Sequence, residues 1–160
     1  MTFLILATVL ALQEAPFPDA DPKPAIEAAR KKAAAENRRV LVLWGSNKSE
    51  KSKAAAALLG SDKGLKKLIL YEYDRVFADE SRFEAPEDYK QLRITPQVVI
   101  LDADGKWLSD SPAPADAKEW TALLEKHKAT PLVAKDVLAA GLKKAKAEKK
   151  RVLLTFGAPW

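Results

Sequence analysis

Residues 28–45 read AARKKAAAENRRVLVLWG and residues 140–157 read AGLKKAKAEKKRVLLTFG, so one stretch of sequence occurs twice in this chain. At a constant offset of 112, ten of the eighteen positions are identical. A period this long, with a helical pattern followed by a strand pattern, indicates two copies of one α/β domain, because solenoid repeats have units of ~20–50 residues. We therefore predict a complete domain over residues 25–127 and the start of a second, incomplete copy over residues 128–160.

The repeated stretch predicts a helix followed by a buried strand. Small apolar side chains recur on one side of Ala25 to Asn37, which is typical of an amphipathic helix. Arg39 to Trp44 is a nearly continuous apolar run, which is typical of a strand covered on both faces. The next elements are predicted in this order: a helix over Ser49–Leu59, a strand over Leu65–Asp74, a short helix over Pro86–Leu92, a strand over Gln97–Leu101, a hairpin turn at Asp102–Gly105, a return strand at Trp107–Leu108 and a helix over Ala115–Lys126. This order gives an α/β fold with a central mixed β-sheet flanked by helices on both faces, and Trp44 and Trp120 are expected in its core.

The composition excludes several classes of function. The 160 residues contain no cysteine, so disulfides, thiolate catalysis and cysteine-ligated metal sites are excluded within them. The net charge of +5 comes largely from a basic run over residues 143–151, but no aromatic side chains are interspersed with it, as single-stranded nucleic-acid binding would require. We interpret this run as a solvated helix face and predict no nucleic-acid partner.

The first residues have the character of an export signal. Thr2 to Leu12 is an uncharged apolar run, too short for the ~20 residues of a membrane span but typical of the apolar part of a signal peptide. We predict a signal peptide over residues 1–13, a proline-rich linker over residues 14–24, no integral membrane segment in the mature chain, and a periplasmic, cell-envelope or secreted location. No Lys or Arg precedes the apolar run, so three alternatives stay open: a first buried strand, a true start site downstream of Met1, and a cytoplasmic protein.

The order of the predicted elements resembles the thioredoxin fold, with Ile94-Thr95-Pro96 before the third strand and a DADGK hairpin at residues 102–106. RVLLTFGAPW at residues 151–160 is similar to the strand and loop that lead into the Cys-x-x-Cys motif of thioredoxins. Carried back through the repeat, this resemblance places the two cysteine positions at Ser49 and Ser52. It also implies that Pro96 is a cis-proline that faces this motif.

The resemblance implies a domain without the redox chemistry of the family. A cysteine at a helix N-terminus attacks a disulfide as a thiolate, whereas a serine hydroxyl is not acidic enough to do so. We expect Ser49 to cap the second helix, and a protein or peptide is the partner expected for the surface of Ser49, Ser52, Thr95 and Pro96. We predict no catalytic residue and no cofactor within residues 1–160.

Two functions of the whole protein remain open. In the first, a second domain beyond Trp160 carries Cys-x-x-Cys and catalyses thiol–disulfide exchange, while residues 25–127 shape the substrate surface or hold the partner. In the second, both domains are non-catalytic binding or scaffold modules. A cysteine directly after Trp160, with another three positions on, favours the enzyme.

Other catalytic centres are not predicted. His127 is the only histidine, and we interpret it as a helix-end residue rather than as a general base for Ser49. A single histidine with no cysteine and no zinc-type ligand spacing predicts no metal site.

Overall fold

The computed structural model of the protein describes residues 15–82 and 95–154. Three features predicted from the sequence fall outside these residues: the signal peptide over residues 1–13, the short helix over residues 86–92, and the part of the repeated strand beyond residue 154. They remain predictions.

The described chain forms five α-helices and four strands. The elements are α1 (Lys23–Glu36), β1 (Arg39–Gly45), α2 (Glu50–Ser61), α3 (Lys63–Glu72), β2 (Tyr73–Asp79), a 3₁₀ turn (Glu80–Arg82), β3 (Gln97–Leu101), β4 (Trp107–Pro112), α4 (Ala117–His127) and α5 (Ala134–Ala147). Most of the predicted elements are therefore present within one or two residues of their predicted bounds.

The four strands form one mixed sheet in the order β2-β1-β3-β4. Strand β1 pairs in parallel with β2 and antiparallel with β3, and β3 continues antiparallel into β4. The apolar run of β1 is buried from Val40 to Gly45, as a strand covered on both faces requires. The hairpin between β3 and β4 closes at Gly105, whose φ of 86° is a left-handed conformation that glycine adopts without steric cost.

Two hydrophobic clusters lie on the two faces of this sheet. One contains Leu43 and side chains of α2, α3 and α4, with Trp120 fully buried among them. The other contains Ala33 of α1 packed with Trp44 and other residues of the sheet. The predicted α/β fold with helices on both faces of a central mixed sheet is confirmed, and both tryptophans lie in the core.

The strand predicted over Leu65–Asp74 is wrong, because most of this segment is helix α3. Leu65 and Ile69, four positions apart, are both buried on one helix face. The side chain of Asp62 caps the helix by accepting a hydrogen bond from the backbone N–H of Leu65 at 2.9 Å. Residues 68–72 (LILYE) therefore follow the helical period, and strand β2 begins only at Tyr73.

Helix α5 and the residues after it are exposed. No residue of α5 is buried, and Arg151 to Leu154 form no strand within the described part of the chain. None of the helices in residues 15–82 and 95–154 has the length and apolar character needed to cross a bilayer.

Candidate functional site

The first of the two serine positions is a helix cap. Ser49 has an extended backbone directly before α2, and its hydroxyl oxygen accepts a hydrogen bond from the backbone N–H of Ser52 at 3.3 Å. The turn before it is held by the Ser46 carbonyl, which accepts from the N–H of Ser49 at 3.0 Å. The predicted capping role of Ser49 is therefore present in the structure.

The second position, Ser52, is inside the domain. Its side chain is 0% exposed, and its hydroxyl oxygen has no hydrogen-bond partner among the described residues. It lies against Gly45 at the end of β1, since a Cβ atom at Gly45 would stand 2.9 Å from Cβ of Ser52. Ser52 is thus a buried packing residue and not a group that a partner reaches from the surface.

The ring of Phe17, whose role the sequence did not predict, also packs against Gly45 at the end of β1. Phe17 is 1% exposed, and its ring passes so close to Gly45 that a Cβ atom there would lie 2.3 Å from Cζ of Phe17. The ring also meets Phe77 of β2 edge-on, with the ring centroids 5.7 Å apart. Glycine at position 45 is what allows this close approach of the ring to the strand.

The backbone of Phe17 is held from the loop before α2. The amide of Asn47 accepts from the N–H of Phe17 at 3.2 Å and donates to its carbonyl at 2.6 Å. Nearby, the carboxylate of Asp19 forms a two-point ion pair with Arg82, one contact of which measures 2.7 Å. The residues from 15 to 22 are irregular, as their prolines predict, and the segment predicted as a linker over residues 14–24 contributes the aromatic side chain of Phe17 to the core. A phenylalanine between two prolines was the only sequence signal for this role.

A groove of about 440 Å³ lies beside the start of α2. One wall comes from α2 and the other from Thr95, Pro96 and the segment that ends β4. Its lining residues are Lys51, Ala54, Ala55, Leu58, Thr95, Pro96, Pro112, Ala113, Pro114 and Ala115, so it is mostly apolar. Such a surface accommodates apolar side chains of an extended peptide.

Pro96 is fixed within this groove. The peptide bond from Thr95 to Pro96 is cis, as the family resemblance implies. The carbonyl of Pro96 accepts from the N–H of Ala113 at 2.9 Å, and the hydroxyl of Thr95 donates to the carboxylate of Glu80. The start of helix α2 carries the two serine positions, and the helix also forms one wall of the groove at Pro96. Lys51, between the two serines, lines the groove, but Ser49 and Ser52 do not.

His127 is remote from Ser49. It ends α4 at the far end of the sheet, where the hydroxyl of Tyr73 donates to the carbonyl of Leu124 at 2.6 Å. Burial, and then the charge of Lys126, lower the pKa of His127. No hydrogen bond joins His127 to Ser49 in the described ranges, and no group of three or more His, Cys, Asp or Glu side chains there could hold a metal ion.

Comparisons with known proteins agree with this architecture. A family model described as a thioredoxin-like domain matches residues 26–128. The fold is similar to that of a disulphide isomerase from Xylella fastidiosa Temecula1, at 18% identity over 71% of this chain and 97% of that chain, with a TM-score of 0.58. It is similar to a thioredoxin from Thermus thermophilus at 20% identity over 67% of this chain and 84% of that chain, with a TM-score of 0.52. The C-terminal domain of DsbD from Neisseria meningitidis gives a TM-score of 0.52 at 14% identity over 68% of this chain and 97% of that chain. The comparison with curated proteins gave no match.

Proposed function

Because this chain belongs to the family of thioredoxin-like domains, we propose that residues 25–127 form a redox-inactive module that binds an extended protein or peptide segment. The observation that carries the proposal is the apolar groove at Pro96, which is present in a domain without a thiol. Binding at such a groove needs shape and apolar contact but no nucleophile, so it survives the replacement of both cysteine positions by serine.

The chemistry of serine accounts for the redox inactivity. Thiol–disulfide exchange requires a thiolate that attacks a disulfide sulfur and then forms a mixed disulfide. A serine at position 49 or 52 supplies no thiolate and forms no sulfur–sulfur bond. Insulin reduction by dithiothreitol should therefore proceed at the buffer rate when the 160-residue protein is added, and a faster rate would contradict the proposal.

The wider proposal concerns the protein to which this domain belongs. We infer an exported thioredoxin-family protein in which residues 128–160 begin a second thioredoxin-like domain. The repeat supports this, as do the exposed apolar side chains Val137 and Leu142 of α5, which have no sheet to pack on within the described residues. A Cys-x-x-Cys motif after Trp160 would assign thiol–disulfide exchange to that second domain. A different residue there would favour the alternative, a wholly non-catalytic scaffold.

Export has its own test. Residues 1–20 fused to alkaline phosphatase, which is active only outside the cytoplasm, should give an active enzyme in a bacterial host. An inactive fusion would leave a cytoplasmic protein and would remove the signal-peptide assignment without affecting the groove.

The groove is tested with a matched pair of variants. Ala54 and Ala57 are both exposed on α2, but only Ala54 lines the groove. We expect a peptide with the sequence Gly-Ser-Phe-Leu-Ser-Gly to shift the amide resonances of Ala54, Thr95 and Ala113 in a saturable way. Ala54→Glu should weaken this binding at least about tenfold, because the peptide would have to desolvate a carboxylate, whereas Ala57→Glu should leave it unchanged. Equal binding by the two variants, or no saturable shift in the unaltered protein, would refute the groove as the binding site.

A further inference from the structure

Strand β2 is an edge of the sheet that the described residues form. Within residues 15–82 and 95–154 it pairs with β1 on one side and with no strand on the other. An edge strand presents backbone N–H and C=O groups that can pair with an additional extended chain. The start of β2, at Tyr73, is paired with Arg39 at the start of β1, whereas the groove at Pro96 lies beyond the other end of β1, where Trp44 pairs with Gln97. The start of β2 is therefore at the opposite end of the sheet from the groove.

The surface beside this edge is strongly basic. A depression of about 570 Å³ at the start of β2 is bordered by five cationic side chains from α1, α3, β2 and the turn before β1. These are Lys32, Arg38, Lys66, Lys67 and Arg75. The single carboxylate in the depression is that of Asp74. Its surroundings therefore carry an excess of positive charge.

The carboxylate of Asp74 already forms ion pairs with two of these cationic side chains. The ammonium group of Lys32 lies 2.9 Å from its Oδ1 atom, and the guanidinium of Arg38 lies 3.9 Å from the same atom. Lys66 and Lys67, exposed on α3, have no carboxylate within ion-pair distance among the described residues. Their charges are available to an acidic partner.

Arg75 is held in place at the edge itself. Its guanidinium lies over the ring of Phe77, 4.7 Å from the ring centroid, and donates to the carbonyl of Leu59 at 3.4 Å. Partial burial lowers the pKa of Arg75, although a guanidinium stays charged at any physiological pH. The arginine is thus a positioned cation on the strand that has no second neighbour among the described residues.

The depression also has an apolar part. Leu70 is 61% exposed and borders it together with Ile69, Leu59 and Tyr73. An exposed leucine next to an open strand edge can bury its surface under an apolar side chain of an added strand. The ligand that fits is therefore extended, acidic and partly apolar.

We propose that the edge of β2 binds an extended acidic segment of another protein, which adds to the sheet as a further strand. Backbone hydrogen bonds to β2 would give the segment its alignment, because strand addition uses main-chain groups for affinity and alternate side chains for specificity. Acidic side chains would meet Lys66, Lys67 and Arg75, and an apolar side chain would cover Leu70. The proposal is independent of the groove at Pro96 and of any redox chemistry.

The test uses the 160-residue protein and a fluorescein-labelled peptide, Glu-Leu-Asp-Val-Glu-Ile-Asp, followed by fluorescence anisotropy. We expect saturable binding that weakens at least about tenfold in the double variant Lys66→Glu, Lys67→Glu, since two attractions become repulsions. The control is Lys118→Glu, Lys126→Glu, which makes the same charge change on exposed lysines of α4 and should leave binding within about twofold of the unaltered protein. An absence of saturable binding, or an equal loss in both double variants, would overturn the proposal.

A second peptide separates strand addition from simple anion binding. The same sequence with alternate backbone amides N-methylated keeps every charge and loses the donors that pair with a strand edge. We expect this peptide to bind at least about tenfold more weakly, and we expect hydrogen exchange over residues 73–79 to slow only with the unmethylated peptide. Equal binding of the two peptides would leave a basic patch that attracts anions and would overturn the added strand.

Discussion

Removal of the Phe17 ring should strongly destabilise the domain, although this residue precedes the first helix. Its side chain is 1% exposed and belongs to the core that α2, α3 and α4 share with the sheet. Truncation of a fully buried phenylalanine costs about 3–5 kcal/mol, which is a large part of the about 5–15 kcal/mol that stabilises a typical domain. Phe17→Ala should therefore lower the free energy of unfolding in urea by about 3 kcal/mol or more and the melting temperature by at least about 12 °C.

The contact of Phe17 with Gly45 makes the reasoning more specific. A methyl group at Gly45 would lie 2.3 Å from Cζ of Phe17 and 2.9 Å from Cβ of Ser52. Gly45→Ala alone should cost about 1–3 kcal/mol, because the ring must leave its position. In the Phe17→Ala background the closest contact is gone and only Ser52 still crowds the methyl group. The two substitutions should therefore be non-additive by about 1 kcal/mol or more in a double-mutant cycle.

The control for both measurements is Leu70→Ala, because Leu70 is 61% exposed and its truncation should change the unfolding free energy by no more than about 0.5 kcal/mol. A loss below about 1 kcal/mol for Phe17→Ala would show that the ring is not part of the core. Strict additivity of Phe17→Ala and Gly45→Ala would show that the ring does not rest on Gly45. The first result would return residues 15–22 to the role of a linker, and the second would place the ring in the core without contact to Gly45.

Three further outcomes are expected. Ser49→Ala should cost about 1 kcal/mol in urea unfolding, because α2 loses its cap, whereas Ser52→Ala removes a buried hydroxyl without a partner and should be neutral or stabilising; equal losses would contradict this. Burial raises the pKa of Tyr73 above its ordinary value of 10.0, so stability should be complete below pH 10 and fall as the pH rises above it, because the unfolded chain then releases the proton that the folded state retains. The alkaline loss should be smaller in Tyr73→Phe, measured by urea unfolding between about pH 9 and pH 12, and an undiminished loss would assign it to another group. Deletion of residues 131–160 should change the unfolding free energy by less than about 0.5 kcal/mol, because α5 buries no residue, and a larger loss would place α5 against the domain.

The sequence alone predicted the elements whose pattern and physical cause lie within a few neighbouring residues. The run from Val40 to Trp44 is apolar at every position, and its short length and β-branched residues favour a strand covered on both faces, which buries every side chain. Asp102 and Gly105 close a hairpin through their own backbone geometry, whatever surrounds them. Ser49 caps α2 through a hydrogen bond to a residue three positions away. These features need no knowledge of distant parts of the chain.

Features that depend on distant partners could not be predicted in this way. The apolar side chains of the segment LILYEY suit both a strand and a helix. Most of the segment is helical, because Asp62 caps the helix and because Leu65 and Ile69, four positions apart, are both buried. A phenylalanine between two prolines does not identify its partner, and the ring is buried against Gly45, 28 positions later in the chain. The groove at Pro96 and the basic depression at the start of β2 likewise combine residues from several elements. Only the folded structure brings these residues together.

The two copies of the repeat show how strongly the burial of a segment depends on the strands beside it. Leu41 in β1 is 0% exposed, whereas Leu153, its equivalent at the offset of 112, is 86% exposed. The side chains are the same, and both follow a helix of 14 residues. What differs is the sheet, because β1 lies between β2 and β3, while residues 151–154 have no strand on either side within the described chain. The segment therefore buries no side chain without neighbouring strands, and the exposed apolar surface of residues 132–154 supports the proposed second domain, whose sheet would cover that surface.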